Sequence, residues 1–386
     1  MKIKLSQAFD LQMGKTPARN NAAYWNGSKK WVSIADIGNS GKYIADTKEC
    51  ITDKGVRESG IKAVPKETVI MSFKLSIGKT AITAEELYTN EAIMAFIDKG
   101  IYAIDPTYFY HLCCGKNWTA GTNKAVMGLT LNKATISGIE INIPDIAEQR
   151  KIAARLDCLD TVIADRQLQL EYLDQLVKSR FIELFGNFVY EHGRWPICEI
   201  GDVADTIDPH PSHRTPPVSS DGVPYIGIAE CNYKTLQIDF ANARKVGREV
   251  LQEHLNRYTL NNGDFIIGKI GTIGKPFFLP AKQTYTLSAN TVLIKPNKHR
   301  VEPQFLFAVF QSEYMERIID AEKKSTSQSA FGIQKIRKID IPMPPLELQQ
   351  QFAAFVEQTD KSKLAVQKSL EELEILKKSL MQQYFG

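Results

Sequence analysis

One long stretch constrains this chain more than any other. From Pro144 to Gly186 it reads PDIAEQRKIAARLDCLDTVIADRQLQLEYLDQLVKSRFIELFG, with no Gly or Pro between Asp145 and Phe185 to break a helix. Its apolar residues return every three or four positions. Along the seam Ile152, Leu156, Leu159, Ile163, Arg166, Leu170, Leu173, Val177, Arg180 and Leu184, eight of ten are apolar. A narrow apolar stripe between charged faces is the pattern of a helix that packs on another helix. At ~1.5 Å per residue the rod is on the order of 60 Å long, too long for the core of one ordinary domain.

The stretch then returns 200 residues later, from Pro344 to Gly386. Between 139–186 and 339–386, compared without a gap, 16 of 48 positions are identical, including Pro144 and Pro344, Gln149 and Gln349, Asp160 and Asp360, Phe185 and Phe385. The second seam (Phe352, Val356, Thr359, Lys363, Val366, Leu370, Leu373, Lys377, Leu380, Tyr384) is apolar at seven of ten. An ungapped match of that length is an internal duplication. A single amphipathic helix of this length cannot hide its seam alone, so each copy is expected to pack on the other.

The intervening parts repeat as well. Residues 1–143 predict a mixed domain of short strands and turns, and 191–343 predict its diverged copy. Lys4–Phe9 reads as an opening strand, answered by Cys198–Val203; Trp31–Ile34 is answered by Val223–Ile226. The apolar run from Val69 into Ile77-Gly78-Lys79 is answered by Phe265 through Gly274-Lys275, and Pro106 opens a short helix as Pro303 does. The organisation is therefore domain (1–143), helix (144–190), domain (191–343), helix (344–386). The helices match better than the domains, which suits two related frames with different recognition surfaces.

Charge follows the same division. Residues 1–142 carry +5 and 191–340 carry +2, while 143–190 and 341–386 carry −2 and −1. Basic globular parts on slightly acidic rods favour nucleic acid at the globular parts. No run of eighteen apolar residues occurs, and MKIKLSQAFD lacks the apolar stretch of a signal peptide, so a cytoplasmic protein is expected. The six cysteines form no Cys-x-x-Cys pair and are expected to stay reduced.

No catalytic motif survives inspection. Ser76-Ile77-Gly78-Lys79-Thr80 resembles the end of a phosphate loop, but Phe73 stands where its first glycine should be, and Lys269 does so in the second copy. A hairpin turn whose lysines, Lys79 and Lys275, project at equivalent places fits better. His210, His213 and Cys231 lack a fourth metal ligand at a recognised spacing. No Gly-x-Ser-x-Gly elbow is present. The chain reads as non-catalytic, with no metal of its own.

The order of these parts resembles a known family, the specificity (S) subunits of type I DNA restriction–modification enzymes. The residues that carry the resemblance are Ile341-Pro342-Met343-Pro344-Pro345-Leu346-Glu347-Leu348-Gln349 and its partner Ile143-Pro144-Asp145-Ile146-Ala147-Glu148-Gln149. The run Ser325–Ile333 and the stretch Asp264–Ile267 with Gly271–Lys275 contribute too. The resemblance implies an α+β protein: two mixed α/β target recognition domains joined by two long helices in an antiparallel coiled coil, with a pseudo-two-fold internal repeat. Each domain would read half of a bipartite double-stranded DNA target, with the helices as spacer. Two methyltransferase (M) subunits and motor–nuclease (R) subunits would dock on this body. S-adenosylmethionine, ATP and Mg would belong to those partners, with no cofactor on this chain. The alternatives are a specificity module of another methyltransferase complex, or a coiled-coil scaffold without a DNA role.

On that reading, DNA contacts are expected from polar loops rich in basic and aromatic residues. In the first domain these are Lys15, Arg19, Tyr24, Trp25, Lys29, Lys30, Lys74 and Lys79; in the second they are His213, Arg214, Lys269, Lys275, Ser327 and Gln328.

Overall fold

The computed structural model describes the chain apart from Leu75, 119–130, His192, His213, Lys234, Gly271, Gln283, 326–330 and the side chains of 323–325. The chain divides into two compact units, Met1–Leu168 with Gln367–Gly386, and Gln169–Val366. Uninterrupted helices span Ile146–Phe185 and Leu346–Phe385. Each helix thus contributes one end to each unit.

In the first unit, a five-stranded sheet has the order Phe9–Met13, Ile93–Asp98, Val69–Ser72, Thr80–Thr83, Tyr43–Ile44. Its pairs are antiparallel except the last, which is parallel. The two middle apolar strands are covered on both faces: Val69 to Ser72 and Ile93 to Phe96 are all buried. A three-stranded sheet joins Glu49–Ile51, Trp25–Val32 and Tyr88–Thr89. Lys2–Lys4 pairs with Glu140–Asn142 just before the first long helix begins. One core holds Phe9, Phe96, Phe109 and Trp118 together with Ile152 and Leu156 of the first helix, and Leu380, Tyr384 and Phe385 of the second pack against it. His111, 1% exposed, adds a polar tie to that helix, meeting Asp157 at 2.8 Å, while Lys42 reaches the same carboxylate at 2.7 Å.

The second unit repeats the plan. Its four-stranded antiparallel sheet runs Ala204–Ile207, Thr291–Pro296, Phe265–Gly268, Pro276–Phe278, and its three-stranded sheet joins Lys245–Val246, Val218–Ile226 and Thr286–Leu287. Ile197–Glu199 pairs with Asp340–Pro342, as Lys2–Lys4 does with Glu140–Asn142. Helices Arg248–Leu255 and Glu313–Ser325 belong to this unit. Its core is built on phenylalanine: Phe185 lies 4.9 Å from Phe305 and 5.6 Å from Phe352, and Phe181 lies 5.5 Å from Phe352.

Within each unit the helix ends pair antiparallel. In the first, Arg155 bonds Tyr384 at 3.2 Å, and further along Asp160 meets Lys377, earlier on the second helix. In the second, Phe185 packs on Phe352, Arg180 lies over Phe355 at 5.7 Å, and Asp174 meets Lys363 at 2.6 Å. All twenty seam positions are buried or half-buried. The cationic seam positions have physical reasons: Lys363 and Lys377 extend to carboxylates of the facing helix, and Arg180 joins Glu183 at 2.8 Å beside the Phe355 ring. Long cationic stems cover apolar surface while their heads reach a partner.

The repeated glutamines act as latches. Gln149 is fully buried; its Oε1 accepts from Asp105 N at 2.9 Å, and its Nε2 donates to the carbonyls of Ala103 and Pro144 at 2.9 and 3.0 Å. Gln349, also fully buried, accepts from Glu302 N at 2.9 Å and donates to Pro344 O at 2.8 Å. Asp105 and Glu302 cap the helices Pro106–Gly115 and Pro303–Phe310. One side chain per unit therefore ties the start of a long helix to a domain helix.

Two strand expectations are corrected. Lys4–Phe9 is not one strand: Leu5–Ala8 forms a single helical turn between the strands Lys2–Lys4 and Phe9–Met13, and Ile200–Val203 does the same in the second unit. Leu5 and Ala8, like Ile200 and Val203, are spaced three apart and buried together, which a helical turn allows and a strand does not. Gln7 closes the first turn by accepting from Lys4 N at 2.7 Å. The strand through Trp31 ends at Val32, because Ser33 and Asp36 form a capping box that starts the helix Ile34–Asn39.

Candidate nucleic-acid interface

In the first unit the loop after Phe9–Met13 is clamped from beneath by two indoles. Trp31 Nε1 donates to Lys15 O at 3.0 Å, Trp25 Nε1 donates to Ala18 O at 3.2 Å, and the rings meet edge to face at 5.1 Å. Arg19 lies over both rings, 3.9 and 4.7 Å from their centroids, and makes two bonds of 2.5 and 3.1 Å to Glu49. Such a stacked, bidentate guanidinium is well held. Tyr24 donates to Glu58 at 2.7 Å, a bond that raises its phenol pKa. Lys29 faces Asp53 at 3.8 Å; Lys30 pairs with Glu85 and lies 3.6 Å from Asp46. Trp25, Lys29 and Lys30, expected on a loop, lie instead on the strand Trp25–Val32, which pairs with Glu49–Ile51, and carboxylates offset most of the basic character expected there.

Of the cations expected to reach DNA in this domain, Lys15 and, on the hairpin, Lys74 and Lys79 have no ion pair among the described residues. The hairpin turns on Ser72, whose Oγ accepts from Lys79 N at 3.0 Å and whose carbonyl accepts from Gly78 N at 2.9 Å. Gly78, at φ +90°, supplies the left-handed step, leaving Lys79 exposed and Lys74 half-buried over the Phe73 ring at 5.4 Å.

The second unit repeats the hairpin in main chain only. Gly274, at φ +75°, donates to Gly268 O at 2.9 Å as Gly78 does to Ser72 O. Lys269 takes the main-chain bonds of Phe73: Phe73 N donates to Ala92 O at 2.9 Å and Lys269 N to Asn290 O at 3.0 Å. Their side chains differ completely. Phe73 is core at 1% exposure, whereas Lys269, 8% exposed, pairs with Asp208 at 3.1 Å. Lys275 lies 4.0 Å over the Tyr233 ring. Arg214 is exposed on the loop 208–217, before the strand Val218–Ile226, with no ion pair among the described residues. His213, Ser327 and Gln328 lie outside the described residues.

Sequence reasoning missed the groups behind these loops. Glu49 holds Arg19, Asp208 holds Lys269, and His254, fully buried on the helix Arg248–Leu255, bonds His210 at 2.9 Å. The identity of Gln149 and Gln349 in both copies was a usable signal for the latches; the other partners come from distant segments without a local pattern.

Comparison with known proteins follows the same division. The family model of the type I restriction modification DNA specificity domain matches residues 1–172 and again 193–375. The chain is 24% identical over 380 residues to the type I restriction enzyme MjaVIII specificity subunit of Methanocaldococcus jannaschii, covering 92% of this chain and 87% of that protein. To the MjaIX specificity subunit of the same organism it is 29% identical over 219 residues, 52% of this chain and 50% of that one, so it spans about half that relative's length. The crystal structure of the S subunit of a type I system from M. genitalium matches with a TM-score of 0.59 at 13% identity, covering 100% of this chain and 96% of that one. A chain from a structure describing complex assembly and conformational transition of the type I R-M system gives 0.63 at 18% identity, covering 100% and 97%. These structural likenesses concern the fold. With both of its domains matched by the family model, this chain belongs to the type I restriction–modification DNA specificity family.

Proposed function

We propose that this chain is the non-catalytic DNA-reading subunit of a type I restriction–modification complex, acting in the cytoplasm. The domain of residues 1–143 reads one half of a bipartite duplex target and that of 191–343 reads the other. The paired helices, 144–190 and 344–386, set the gap between the halves. The observation that carries this reading is the repeated unit itself: one domain latched by a buried glutamine to one end of an antiparallel helix pair, twice, with different loop chemistry each time. A protein that bound one ligand twice would have no need of two surfaces.

Lys15, Lys74, Lys79, Arg214 and Lys275 contact DNA, phosphates first and base edges where a loop enters the major groove. Arg19, Lys30 and Lys269 shape the loops from behind through their carboxylate partners. Methyltransferase subunits, two per chain, dock on the outer faces of the helices, where Leu168, Tyr172 and Leu176 are 43–59% exposed and Leu364, Ile375 and Leu376 are 47–73% exposed. S-adenosylmethionine, ATP and Mg act on the methyltransferase and motor–nuclease partners. Sequencing of adenine methylation in host DNA, with and without this gene, tests the reading. Loss of one bipartite motif supports it; an unchanged methylome overturns it.

A further inference from the structure

The second unit contains a buried polar cluster that DNA contact itself does not require. His210 and His254 are 6% and 0% exposed, and His210 Nδ1 lies 2.9 Å from His254 Nε2. Two touching imidazoles need a definite proton arrangement. His210 Nε2 is 2.9 Å from the carbonyl of Arg214, which can only accept, and 2.7 Å from Ser212 Oγ, so that nitrogen carries a proton that the two oxygens share. With one proton on each ring, His210 Nδ1 is a lone pair and accepts from His254 Nε2–H. His254 Nδ1 is left to accept from the hydroxyls of Thr286 and Tyr258, the latter at 3.3 Å. Two protons, one on each neutral ring, satisfy all four ring nitrogens.

We propose that His210 and His254 are positioning residues for DNA reading: as a hydrogen-bonded pair they hold the main chain at Arg214 and so set where its guanidinium is presented. This rests on the reading of Arg214, on the loop 208–217, as a DNA contact. The relay starts at Thr286, whose strand pairs with Tyr225, and passes through the helix residue His254 to the loop. Titratable and charged groups facing the pair are Asp208 from the loop, Glu253, Arg257 and Tyr258 from the helix and the turn after it, and Tyr225 from the strand. Burial, then His210, pushes the pKa of His254 down to about 4, keeping that ring neutral at ordinary pH.

The test reads methylated sites in host DNA from cells carrying the full chain and its variants. Arg214→Ala is expected to relax base discrimination in one half of the motif by on the order of tenfold. His254→Leu, which removes the donor to His210, is expected to relax the same half and leave the other intact. His254→Gln, whose amide can replace that donor, is expected to restore discrimination, and His210→Gln, which can still donate to the Arg214 carbonyl, to retain it. Relaxation by Arg214→Ala without any by His254→Leu overturns the proposal. So does a uniform loss of methylation that His254→Gln fails to restore, which marks a merely structural pair. No effect of Arg214→Ala removes the guanidinium from the interface and the proposal with it, leaving the wider reading intact. Absence of any bipartite motif in the wild type overturns both.

Discussion

The two domains hold the same loop with different chemistry. In the first, indole N–H groups of Trp31 and Trp25 donate to the carbonyls of Lys15 and Ala18; in the second, an imidazole of His210 donates to that of Arg214. At the hairpin, Phe73 and Lys269 share main-chain bonds, yet one is core and the other is a buried cation on Asp208. The frame is carried by main-chain bonds and by the glutamine latch, neither of which depends on what the loops display. Side chains on the loops were therefore free to diverge, provided each loop kept some donor beneath it.

Exchanging the two solutions should break the comparison most severely. Phe73→Lys places a cation in the first core without a carboxylate built to receive it and is expected to cost about 4 kcal/mol or more. The reciprocal Lys269→Met is expected to cost about 2 kcal/mol by taking the ammonium from Asp208, which keeps its bond from His210 N, with Asp208→Asn recovering most of that. Chemical denaturation of each variant measures both; equal costs in the two directions would contradict the assignment of Phe73 as core and Lys269 as ion-paired.

Acid separates the locks next, because imidazoles titrate and indoles do not. The folded pKa of His254, about 4, lies below the ordinary 6.5, so the unfolded chain takes up the proton first as pH falls. Stability is then complete above about 6.5 and declines towards pH 4, by about 3 kcal/mol from this group. His254→Gln should remove that component from the pH dependence of unfolding, and an unaltered profile would refute it.

The latches should respond alike, since both domains share them. Gln149→Ala and Gln349→Ala are each expected to cost about 2 kcal/mol in thermal or denaturant unfolding, with Gln149 the costlier because it makes three bonds against two. The smallest effect is at the surface: Lys275→Ala should weaken binding across sequences and reduce the slope of log affinity against log salt by about one. An unchanged slope would take Lys275 off the phosphates.

The legible parts of this molecule were those with a local period or a repeat. The long helices could be read because nothing between Asp145 and Phe185 breaks the three-and-four spacing, and the domains because their order recurs. The turns at Leu5–Ala8 and Ile200–Val203 are too short for any period to separate them from strands. The loops were misjudged in another way. Arg19, Lys29 and Lys30 look like free cations in sequence, but Glu49, Asp53 and Glu85, which neutralise them, arrive from a strand, a helix start and a turn elsewhere in the chain. Likewise nothing near His210 announces His254, which lies 44 residues further along. Composition places charge in a loop; only topology determines which charges remain available to a ligand.

The central claim is that two different readers are held apart by a helical spacer, and the spacer can be lengthened. Four residues inserted after Gln167 and four after Gln367, equivalent points of the two helices, extend each by about 6 Å, on the order of two base pairs of duplex. Methylome sequencing of cells carrying this variant should show both half-sites unchanged in sequence and the gap between them widened by about that amount. Retention of the original gap, with the same half-sites still methylated, would contradict the account.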